Sequence, residues 1–72
     1  MTRKHFAAIA AMLKNEIDAA VAKRHLTEAD AIARVARRLA VELSRSNGAF
    51  RFDSFYAAIG LTSDGFVPIG LR

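Results

Sequence analysis

Cysteine is absent from this chain, which excludes disulfides and thiolate metal sites, two of the usual supports of a very short domain. Proline occurs once, at Pro68, so no ring interrupts a helix before that point. The four glycines, Gly48, Gly60, Gly65 and Gly70, are spread as stops and turns and make no phosphate-cradling loop. No run approaches the ~20 apolar residues of a membrane span. Acidic residues are outnumbered, seven Asp and Glu against eleven Lys and Arg, for a net charge of +4.

At 72 residues the chain is one domain at most. Such a chain buries only about 60% of its unfolded surface. With disulfides excluded, a homodimer is the remaining route to extra support. The hydrophobic share is 53%, but much of it is alanine, which buries little area. The basic balance, with a sequence pI near 10.4, favours an anionic partner or simple solubility. Arg3 and Lys4 precede the apolar run from Phe6 to Leu13, as in a short secretory leader. The polar residues Lys14, Asn15 and Glu16 interrupt that run, and helical periodicity explains it better. The expected location is the cytoplasm of a bacterial host, with no membrane contact.

What is present is helical spacing. Phe6, Ile9, Leu13, Ile17, Ala20 and Val21 recur three or four apart and predict a first helix over about 3–23, with Thr2 as N-cap. Thr27, Glu28 and Asp30 resemble a capping box for a second helix over about 28–45. Its expected apolar stripe is Ile32, Val35, Ala36, Leu39 and Leu43. Asn47 and Gly48 tolerate the left-handed backbone that ends many helices. Phe52, Phe55, Tyr56 and Ile59 share one face of a short third helix over about 51–59, stopped by Gly60. The expected fold is all-α: two antiparallel helices, a short third and an extended C-terminal tail, divided as 1–60 and 61–72. The tail residues Phe66, Val67, Ile69 and Leu71 are too apolar for a solvated end, so they pack back or meet a partner.

Catalytic chemistry is hard to place. His5 and His25 lie far apart, with no clustered carboxylates, so metal-ligand spacing is missing. The serines fall in capping and turn contexts, without a base and an orienting acid. No enzyme activity, cofactor or metal is expected. The one charged constellation is Arg34, Arg37, Arg38 and Arg45, beside Val41 on the second helix. Arginine's planar fork suits phosphate or carboxylate. The plainer reading is a solvated face with Asp30–Arg34 and Arg38–Glu42 pairs, which leaves Arg37 and Arg45 unpaired. A helix-turn-helix reader is disfavoured, because the third helix would carry Arg51 and the repelling Asp53 into the groove.

Two stretches carry a resemblance. One is Thr2-Arg3-Lys4-His5-Phe6-Ala7-Ala8-Ile9-Ala10; the other is Asn47-Gly48-Ala49-Phe50-Arg51-Phe52-Asp53-Ser54-Phe55-Tyr56-Ala57-Ala58-Ile59-Gly60. Together they resemble uncharacterised small helical proteins encoded by bacteriophages and other mobile elements. Those open on Arg-Lys-His-Phe and close on an Asn-Pro-x-Phe-Asp-x-x-x-Phe-x-x-Ala-Cys-Gly-like segment. Gly48, Arg51 and Ile59 depart from that pattern, replacing proline, aspartate and cysteine. The resemblance implies a mobile-element origin and no catalytic residues. The expected function is a non-enzymatic accessory protein that binds and modulates a host protein. The alternative is a nucleic-acid-binding accessory protein using the arginine stripe against the backbone.

Overall fold

The structure, a computed structural model, describes residues 3–71, with the side chains of Arg3 and Leu71 outside the description. Thr2, the expected cap of the first helix, also lies outside it. The chain is all-helical: α1 spans Arg3–Ala22, α2 Leu26–Ser46 and α3 Phe52–Ile59, with a 3-10 turn at Ile69–Leu71. There is no strand among the described residues.

Helix α1 buries Ala10, Leu13, Ile17 and Ala20, with Phe6, Ile9 and Val21 partly covered. This is the face that its spacing predicts. The helix ends in a Schellman turn: the His25 amide donates to the Ala20 carbonyl at 2.8 Å and the Arg24 amide to Val21 at 3.0 Å. Arg24 takes the left-handed conformation there, at φ 63°. That turn leads straight into α2, which begins two residues earlier than expected. His25 is the N-cap and makes no side-chain cap bond. Thr27 and Glu28 therefore lie inside the first turn, and the expected capping box does not form. His25 Nδ1 instead stands 3.4 Å from Glu28.

Ala36 and Leu43 of the expected α2 stripe are buried, but the rest of the inward side differs from the one expected. Ala29, Ala33, Ala36, Ala40 and Leu43 face the core, Ile32 and Leu39 are half-buried, and Val35 is 54% exposed. At 3.6 residues per turn, the inward line is rotated by about 60° from the Ile32–Leu39 stripe. The physical reason is bulk. Leu13 and Ile17 of α1 and Phe55, Tyr56 and Ile59 of α3 supply the volume, and α2 meets them with methyl groups. Small residues at a helix contact let backbones approach more closely.

Helix α2 ends without a left-handed residue. Asn47 is extended, at φ −147° and ψ 104°, and its Oδ1 accepts from the Ala49 amide at 3.0 Å. The Phe50 amide donates to the Asn47 carbonyl, closing a turn that sends the chain into α3. Of the expected face of α3, Phe55, Tyr56 and Ile59 are buried while Phe52 is exposed. Helix α3 ends as α1 does, here with Gly60 at φ 89°: Gly60 donates to Ala57 and Leu61 to Tyr56.

After Gly60 the chain stays on the helices. Leu61 and Val67 join the same buried cluster. Between them the Thr62 amide donates to the Phe66 carbonyl, the Gly65 amide to the Thr62 carbonyl, and the Phe66 amide to the Thr62 hydroxyl. The tail is thus a closed turn followed by a 3-10 turn, where an extended segment was expected.

Candidate functional site

Two surface features stand out. The first is an open groove of about 480 Å³ between the start of α1 and α3. Phe6, Ala7 and Ala10 form one wall. Asn47, Ala49, Phe50 and Arg51 enter from the α2–α3 connection, and Ser54, Phe55 and Ala58 from α3. Aromatic contacts shape its floor. The half-buried Phe50 ring meets Phe6 edge-on at 5.6 Å, and Phe52 and Phe55 at 5.4 Å each. Arg51 is the one ionisable group among the described lining residues. It pairs with Asp53 at 3.3 Å. Arg51, and after it the Ser54 amide, hold the Asp53 carboxyl below its ordinary value. The described lining residues come from two distant stretches of the chain, 6–10 and 47–58.

The second feature is the arginine series on α2, which the structure divides. The rotation that turns the alanines inward leaves Arg34, Arg38 and Arg45 exposed and carries Arg37 to the flank, where it is half-buried. Arg37 donates to the Gly65 carbonyl at 2.8 Å, and its guanidinium carbon lies 4.1 Å from the centre of the Phe66 ring. It holds the C-terminal segment and is not an unpaired member of the stripe. Arg45 is not unpaired either, because it meets Glu42 at 3.0 Å. The acid expected to serve Arg38 serves Arg45 instead. Tyr56 lies beneath the same contact, and burial raises its phenol above the ordinary value against the opposing charge of Arg37. Sequence alone gives little sign of this arrangement. The Arg37 acceptor lies 28 residues away, and reaching it depends on the rotation of α2.

The tail residues separate in the same way. Val67 faces the core and is not available to a partner, whereas Phe66 and Ile69 are 53% and 88% exposed. The Leu71 side chain lies outside the described residues. Among the described residues, no group of three or more His, Cys, Asp and Glu could hold a metal ion. None of the described helices is long and apolar enough to cross a membrane. Compared with protein-family models, curated proteins and solved structures, the chain matches none.

Proposed function

We propose that this chain is a non-enzymatic accessory protein, of the kind carried by bacteriophages and mobile elements, that binds and modulates a host protein through the α1–α3 groove. With α1 and α2 taken as antiparallel, α3 and the start of α1 form the binding edge. One observation carries the reading: the two stretches that resemble mobile-element proteins converge on one open, apolar cleft. Aromatic and alanine walls with a polar rim of Asn47, Arg51 and Ser54 suit an aliphatic or aromatic side chain presented by another protein. The described lining residues bring no base to Ser54, and binding is the chemistry they offer.

Capture from bacterial lysate tests this with three forms of the tagged protein. Ala58 is exposed in the groove wall, so Ala58→Arg fills the cleft without disturbing the core. A specific partner should be retained by the native chain and by Arg34→Ala/Arg38→Ala, and lost with Ala58→Arg. Equal capture by the Ala58→Arg form, with its helicity intact by circular dichroism, rejects the groove as the binding site.

A further inference from the structure

Helix α2 places three arginines on one outward line. Arg34, Arg38 and Arg45 are all exposed, and at 1.5 Å per residue they span roughly 16 Å. Glu42 engages Arg45, while none of the pairs Lys14–Asp18, His25–Glu28, Glu42–Arg45 and Arg51–Asp53 includes Arg34 or Arg38. On the flank of this line, about 80° round α2 at Arg37, stands Phe66. It is half exposed, and its ring is braced by Arg37, whose own helical neighbours one turn away are Arg34 and Val41. Arg37 in turn is fixed by the Gly65 carbonyl, so the ring is held and not merely solvated. Asp64 is exposed in the same loop and opposes the field of the three arginines.

We infer that this face binds single-stranded nucleic acid, with Arg34, Arg38 and Arg45 on phosphates and an unpaired base stacked on Phe66. The chemistry is that of backbone-tracking cations combined with an aromatic platform. The aromatic platform favours a single strand over a duplex, because a paired base keeps its faces inside the helix. The site lies on α2 and the C-terminal turn, apart from the α1–α3 groove, and does not depend on what the groove binds.

The test uses the full chain and a fluorescein-labelled oligothymidylate of about 15 nucleotides, a length within the usual single-strand site range. Anisotropy at about 50 and about 200 mM salt should give a log–log slope near −2, since each phosphate contact on a single strand contributes about −0.7. Arg34→Ala/Arg38→Ala should weaken binding at least tenfold and bring the slope towards about −0.7. The chain has no tryptophan, so Phe66→Trp introduces a single reporter at the platform. Its emission should be quenched by oligothymidylate, and a duplex of the same length should bind more weakly. Absence of binding at low salt overturns the inference. So does binding that leaves the Phe66→Trp emission unchanged. Equal retention by a polyglutamate of matched charge, lost in the double arginine variant, assigns the face to an acidic protein partner and also overturns it.

Discussion

Arg37 meets Gly65 twice: the guanidinium donates to the Gly65 carbonyl at 2.8 Å, and the Arg37 Cγ lies 2.8 Å from where a Gly65 Cβ would stand. The contact joins α2 to the C-terminal turn across 28 residues. Arg37→Ala removes a part-buried, charge-assisted hydrogen bond and the cation–π contact with Phe66. The expected loss is about 2 kcal/mol. Urea denaturation measures it, and hydrogen exchange at Gly65 and Phe66 should accelerate ahead of the helices. Arg34→Ala, on the exposed line, should change stability by less than about 0.5 kcal/mol.

Gly65 is required there for two separate reasons. Its φ is +84°, and a Cβ would stand 2.8 Å from Arg37 Cγ and 2.9 Å from Tyr56 Cζ. Gly65→Ala therefore combines a left-handed backbone penalty of about 1–2 kcal/mol with displacement of a buried ring. Gly48 and Gly70 have open space around them and no positive φ. Gly48→Ala should be neutral or slightly stabilising through the unfolded chain. Thermal melts of the two variants should separate clearly, and a Gly65→Ala protein as stable as Gly48→Ala would contradict the described turn.

The alanine seam gives a third expectation. Ala33 is 1% exposed and faces the bulky residues of the core, so Ala33→Leu adds volume where none is free. Overpacking of this kind costs about 1–3 kcal/mol. Val35→Ala, two residues away but on the outside, should cost little. The opposite ranking would restore the Ile32–Val35–Leu39 stripe as the inward face.

This contrast also marks what the residues disclose by themselves. All three helices follow from three-and-four spacing, and their ends fall within two residues of the expected positions, because on α1 and α3 the large apolar residues Leu13, Ile17, Phe55, Tyr56 and Ile59 lie on the buried face. The face of α2 does not follow in the same way. Alanine carries little weight in an apolar pattern, so Ile32, Val35 and Leu39 pull the reading round by about one side chain. The arginine assignment inherits that displacement. Arg37 reads as solvent-facing on the expected face and becomes a flank residue on the observed one. The groove was not legible either, because its walls come from two distant stretches whose residues read as core and caps.

Arg24 offers a gain in stability. It occupies the left-handed position of the Schellman turn at φ 63°, the place that Gly60 fills at the end of α3. Side-chain-bearing residues pay about 1 kcal/mol or more to sit there. Arg24→Gly relieves that strain, partly offset by the greater freedom of glycine in the unfolded chain. The net expectation is an increase of up to about 1 kcal/mol in chemical denaturation, with far-ultraviolet circular dichroism unchanged.

Tyr56 ties stability to alkaline pH at the same contact. Its phenol is raised above the ordinary value of 10.0 by burial, with Arg37 acting in the opposite sense. A raised folded value means that the folded protein keeps its proton while the unfolded chain begins to lose it. This contribution is therefore fully present below pH 10.0 and is lost as pH rises through the folded value. Lysine side chains titrate nearby, so the informative quantity is the difference between the native chain and Tyr56→Phe. Across melts from about pH 8 to about pH 11, that difference should be flat at first and then turn in favour of Tyr56→Phe. Arg37→Ala removes the charge that favours the tyrosinate. The loss begins as the unfolded chain ionises near pH 10.0 in either case; it should grow larger and extend to higher pH if the ring stays buried, and shrink away if releasing the C-terminal turn exposes it. The two directions distinguish electrostatic coupling from packing as the main role of Arg37 at this site.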